Sequence, residues 1–246
     1  MRNTTNDELG QGPVDVSDWA SATAQSVRRI VYQTFAQQGR APSPAELAGE
    51  LELDPANVLR ALDELHERHA LVLTPAGDAI RMAHPFSAAP MGFVVRAGDQ
   101  FWWGGCAWDS FGIAAALDRQ MEITTCCAGC GRKLGYVAGP ATPPTLDAVV
   151  LIPRPAREWW DDVVATCSSI RVYCRRTEMP PPAESVPLLT LWQLAQPWYR
   201  DRLDEDWTPQ STSARQRLLD DVGLTSPFWQ LINPTTTPGR GADDAD

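Results

Sequence analysis

Residues 102–119 read "WWGGCAWDSFGIAAALDR". Two glycines break whatever precedes them. Ala107, Ile113, Ala114, Ala115 and Leu117 then favour a helix, with Cys106 and Asp109 at its start. The flanking chain is strand-like. "MGFVVRAG" (91–98) reads as a strand, and "MEITTCCAGCGRKLGYVAG" (121–139) as two strands joined by a turn at Gly129–Gly131. "LDAVVLIPR" (146–154) is a third strand. "AREWWDDVVATCSS" (156–169) reads as a helix ending near Cys167, and "IRVYCRR" (170–176) as a strand. Strands interleaved with helices predict a mixed α/β core and an α+β class.

Upstream, residues 17–40 suit a helix, with Val27, Ile30, Val31, Thr34 and Phe35 on one stripe and Gly39 at its end. "SPAELAGELEL" opens on a capping box: Ser43 caps, Pro44 takes the first helical position and Glu46 reaches back. Asp54 and Pro55 repeat the start signal before an apolar face of Val58, Leu59, Leu62 and Leu65. "LVLTPAGDAIRM" (71–82) is a hairpin turning at Pro75–Asp78. Three helices and a hairpin give a winged-helix-like pattern, which suggests DNA recognition. Its charge argues otherwise. Residues 17–85 carry six arginines against nine acids, so phosphates would be repelled and a structural or lid role is favoured.

The expected organisation is a flexible leader (1–16), a winged-helix-like domain (17–85), a core (86–180), a helical C-terminal extension (181–233) and a disordered tail (234–246). "MPPPAESVP" (179–187) is a Pro-rich linker between core and extension. Two Trp- and Leu-rich helices follow in 188–203 and 213–232 and should pack back onto the core.

Across 246 residues the net charge is −10, which counts against sequence-independent nucleic-acid binding. The opening "MRNTTNDELGQGP" lacks the apolar core of a signal peptide. No apolar run approaches the ~20 residues that span a bilayer. A cytoplasmic location, with no membrane partner, is the expectation. There the six cysteines, at 106, 126, 127, 130, 167 and 174, stay reduced. The three histidines, 66, 69 and 84, all lie upstream of them, so chemistry in the middle region is expected to rest on sulfur and carboxylate.

Cys106 follows Gly-Gly at a helix start, where the helix dipole favours thiolate. Asp109, three residues on, shares its helical face. Among Trp102, Trp103 and Trp108, burial and like charge disfavour two adjacent anions, so the pair could share one proton. The plainer alternative is a capping acid beside an inert buried cysteine. Cys167 alone says little. Cys127 and Cys130 form a single CxxC, an incomplete zinc knuckle, with Cys126 pointing to the opposite side of a strand. A structural turn, a metal-relay thiol and a redox pair all remain open for it.

The order "GCAWD", "CCAGCG", "ATCSSIRVY", behind the winged-helix-like region, resembles the organomercurial (alkylmercury) lyase family over roughly residues 20–180. The resemblance implies that Cys106, Asp109 and Cys167 carry catalysis and that Cys106 and Cys167 hold substrate and product mercury. It also implies a structural role for Cys127. Ser168 stands where the family often has another cysteine, and Cys126, Cys130 and Cys174 are additional. Trp108 and Phe111 are candidate pocket lining. The implied reaction is protonolysis of a small organomercurial to a hydrocarbon and thiolate-bound Hg(II). It needs no cofactor, and external small thiols or a mercury-accepting protein would remove the product. The rival readings are a thiol-based heavy-metal binding or sensing protein, and a relative acting on a non-mercury substrate.

Overall fold

A computed structural model describes residues 19–175 and 184–232. The expected leader and tail, and residues 176–183 with the first part of the linker, lie outside the described residues. The class is mixed α+β, as expected.

Helix α1 (Ala22–Gln38) starts at Ser21, whose hydroxyl accepts the Ala24 N–H, and ends at Gly39 in the left-handed region. Helix α2 (Pro44–Leu51) has the complete capping box of Ser43 and Glu46. In α3 (Pro55–Glu67), Asp54 accepts the Ala56 N–H. The hairpin follows as β1 (Val72–Leu73) and β2 (Ile80–Ala83).

That hairpin does not stand apart. It continues through β3 (Phe86–Ser87) into one antiparallel sheet with β4 (Phe93–Ala97), β5 (Gln100–Gly104), β6 (Met121–Cys126) and β7 (Lys133–Ala138). The strand order is β1-β2-β3-β5-β4-β6-β7. Strand β5 is additional to the sequence reading. Its polar ends and aromatic centre show no clean alternation, and it is a strand because β3 and β4 pair with its two edges. Helix α4 (Ala107–Ala116) crosses this sheet with all ten residues buried, the expected fate of a helix apolar on every side.

A second sheet, β10-β8-β9, joins β8 (Val149–Ile152), β9 (Arg171–Tyr173) and β10 (Glu184–Pro187). Two expectations change here. The C-terminal end of the Pro-rich linker is a strand, made possible because β10 is an edge with Pro187 as its last residue. The helix expected over 156–169 is interrupted. Ala156–Glu158 is one 3₁₀ turn, and α5 (Val163–Ser169) begins afresh at Asp162, which accepts the Ala165 N–H. The intervening Trp159 is buried and donates its indole N–H to the Arg154 carbonyl, a bond the continuous helix would not provide.

Helix α6 (Leu188–Tyr199) packs on α4, and α7 (Thr212–Asp221) packs on α6. Arg28 of α1 ties the two chain ends together. Its guanidinium donates to the Arg202 carbonyl at 2.6 Å and lies 3.9 Å from the Trp207 ring centroid. Burial lowers its pKa to about 10. No helix among the described residues is long and apolar enough to cross a membrane.

Candidate active site

Cys106 is the N-cap of α4 and has extended backbone geometry, so its side chain folds over the first turn. Its sulfur accepts the Asp109 N–H at 3.4 Å, and its thiol donates to Asp109 Oδ2 at 3.3 Å. Cys167, on α5, donates to the same Oδ2 at 3.7 Å. One carboxylate oxygen therefore faces both sulfurs. Tyr199, from the last turn of α6, donates to the other oxygen, Oδ1, at 2.7 Å. His84 Nε2 lies 3.5 Å from the Cys167 sulfur.

The backbone leaves little freedom here. A Cβ at Gly105 would strike Asp109 Oδ2 and the Met82 methyl. A Cβ at Gly112, one turn beyond Asp109, would strike the Tyr199 ring. These glycines let the carboxylate and the phenol approach.

The site is dry: Cys106 and Asp109 are 1% exposed and Cys167 is 6%. Burial raises the Cys106 pKa, and this outweighs the help of the Asp109 N–H at the helix start. Cys167 is raised further, first by its hydrogen bond with Cys106 and then by burial. Burial and the Asp109 charge push Tyr199 well up, so it remains a donor. Burial lowers His84, so its imidazole is neutral near pH 7.

These groups form the floor of a cavity of about 170 Å³. Trp108, Trp159, Trp160, Trp198 and Trp207 form apolar walls, and Arg68, Arg202 and Arg215 also line it. Trp108 is the hub, with ring centroids 5.2 Å from Trp159 and 4.8 Å from Trp198. Phe111 is not part of the lining. Two residues beyond Asp109 it points to the other side of α4, fully buried against Tyr136.

The sequence reading missed His84 and Tyr199. The histidines do precede the cysteines in the chain, but the connection from β2 to β3 brings His84 onto Cys167. A sulfur-and-carboxylate site was therefore an incomplete expectation. No local signal marks either residue, because both reach the site through tertiary packing. Cys127 and Cys130 lie elsewhere, at the β6–β7 turn, with Cys174 beside them. Cys126 is exposed and Cys127 buried, as strand alternation requires.

Two thiols sharing one buried carboxylate under an apolar cavity, on this α+β frame, define an enzyme equipped to take a soft electrophile on sulfur and to move a proton. Residues 86–200, which contain Cys106, Asp109, Cys167 and Tyr199, match the family model of alkylmercury lyase (MerB), a family of carbon–mercury bond-cleaving enzymes. No curated relative matches at the level of sequence. Ten solved chains match in structure. One is the mercury-bound form of MerB2, with a TM-score of 0.57 and 18% identity, covering 75% of this chain and 93% of that one. The two share a fold.

Proposed function

We propose that the enzyme cleaves organomercurials by protonolysis at Cys106, Asp109 and Cys167. The observation that carries this is the convergence of both thiols on Asp109 Oδ2. Mercury is soft and prefers sulfur. An R–Hg–thiolate adduct exchanges its thiolate for Cys106, whose proton leaves with the displaced thiol. Cys167 then passes its proton to Asp109 Oδ2, and its sulfur joins mercury. Tyr199 already occupies Oδ1, so the mobile proton stays on the oxygen facing the metal. Two sulfur donors increase electron density at the Hg–C bond. Asp109 protonates the carbon as that bond breaks, releasing R–H and regenerating the carboxylate. Hg(II), the product, stays bound to two sulfurs until small thiols remove it. No cofactor enters these steps, and a cytoplasmic location, where thiols remain reduced, suits the chemistry.

His84 orients the Cys167 thiol, and Trp108 with its neighbours accommodates the organic group. Purified enzyme given phenylmercury and excess small thiol should release benzene. Cys106→Ser, Cys167→Ser and Asp109→Ala should each abolish release, while Cys126→Ser should not. Mercury bound stoichiometrically without benzene would instead favour a binding protein.

A further inference from the structure

Cys127, Cys130 and Cys174 form a second sulfur cluster that the reaction does not use. Their sulfurs all lie within 4.8 Å of one another, and Cys130 and Cys174 are 3.6 Å apart. A disulfide would require about 2.05 Å. Three thiolates around a tetrahedral zinc, at Zn–S of about 2.3 Å, stand about 3.8 Å from each other.

The backbone is shaped for ligation as well. Cys127-Ala-Gly-Cys130 turns back through Gly131 at φ 73°, a conformation that favours glycine. The Gly131 N–H closes on the Cys127 carbonyl at 2.9 Å, and the Cys127 N–H on the Arg132 carbonyl at 2.8 Å. The Cys174 N–H points at the Cys127 sulfur at 3.4 Å, a donor placed to stabilise a thiolate. Arg132, Lys133 and Arg175 flank the cluster in sequence. Cys127 is buried, Cys174 half-buried and Cys130 exposed, so an ion can enter from solvent.

We infer that Cys127, Cys130 and Cys174 form a binding site for a thiophilic divalent cation, Zn(II) or Hg(II), separate from the catalytic thiols. The third sulfur completes what the CxxC alone lacks. Among the described residues the cluster offers three donors, leaving the fourth tetrahedral position to water or an external thiol. The cation cross-links the β6–β7 turn of the large sheet to the end of β9 in the small one, which the Ala128 N–H to Val172 carbonyl bond already joins at 2.9 Å. Strand β9 directly follows α5, the helix that carries Cys167.

The test uses the full chain as Cys106→Ser/Cys167→Ser, fully reduced, so that the catalytic thiols contribute nothing. Zinc content as purified separates the two sources: resident zinc marks a structural ion, whereas a zinc-free site that takes up Hg(II) marks an acceptor. In both cases a single equivalent of Cd(II), added after chelation, should give sulfur-to-cadmium charge-transfer absorbance. Further replacement by Cys130→Ser or Cys174→Ser should weaken Cd(II) binding roughly tenfold or more. Circular dichroism should report an intact fold, since Cys130 is exposed. Absence of Cd(II) uptake, or uptake unchanged by both serine variants, would overturn the site and leave the lyase reading untouched.

Discussion

In the proposed scheme the chemistry turns on Asp109, whose two oxygens have different partners. Tyr199→Phe removes the donor to Oδ1 and frees the proton to settle away from the sulfurs. Hydrogen bonds to charged groups contribute about 1.5–3 kcal/mol, so benzene release should slow roughly tenfold to a hundredfold in kcat. Binding of phenylmercury to the two thiols should change far less. Wild-type kcat in Tyr199→Phe would remove the phenol from the proposed scheme. The thiols also set a pH dependence of stability. Both pKa values are raised in the fold above the ordinary thiol value of 9.0. The folded state therefore holds protons that the unfolded chain releases. The stabilisation is fully present below that value and is lost as pH climbs from it through the raised folded values. Urea unfolding between pH 7 and pH 11 should show wild-type stability falling more steeply at the alkaline end than that of Cys106→Ala/Cys167→Ala. Equal slopes would contradict the shift.

Helix α4 is the element that unites site and core, and its glycines set how closely α6 can approach. At Gly112 an alanine methyl would meet the Tyr199 ring and Pro85, so Gly112→Ala must push α6 outward or turn the phenol away. Overpacking of this kind costs about 1–3 kcal/mol. The variant should show a lower urea midpoint and lose activity beyond that expected from its folded fraction; unchanged activity would mean that Tyr199 keeps its place by another route. The start signals of α2 and α3 could be read directly, because Ser43 with Glu46, and Asp54 with Pro55, act within their own helices. Asp109 beside Cys106 was readable for the same reason, being one turn of one helix. Strands β5 and β10 were not, since each is a strand by virtue of distant partners. The break before α5 coincides with Trp159, whose burial lies in the fold rather than in its neighbours. Cys167 entered the site through family resemblance alone.

At the scale of the whole molecule, the cavity is assembled from both ends of the chain. Arg68, His69 and His84 come from the first 85 residues, while Trp198, Tyr199, Arg202, Trp207 and Arg215 come from the last 50 or so. The sequence showed Trp-rich C-terminal helices destined to pack on the core, but not that they would wall the cavity or line it with cations. Neither Arg202 nor Arg215 takes part in an ion pair among the described residues. Burial, and then the charge of Arg202, lowers the Arg215 pKa, so the fold sustains unfavourable cationic charge here. An anionic substituent on the substrate relieves it. The chain as a whole is strongly acidic, at −10, so this is a local field opposed to the global one. A mercuribenzoate should therefore be preferred over phenylmercury in kcat/KM, by an amount that shrinks as salt rises. Because the guanidinium is partly solvated, a factor of roughly two to ten is expected. Arg215→Gln should reduce the preference while leaving phenylmercury cleavage near wild type. A preference that survives both high salt and Arg215→Gln would assign selectivity to the tryptophan walls, and the arginines would then act only in holding the C-terminal helices to the core.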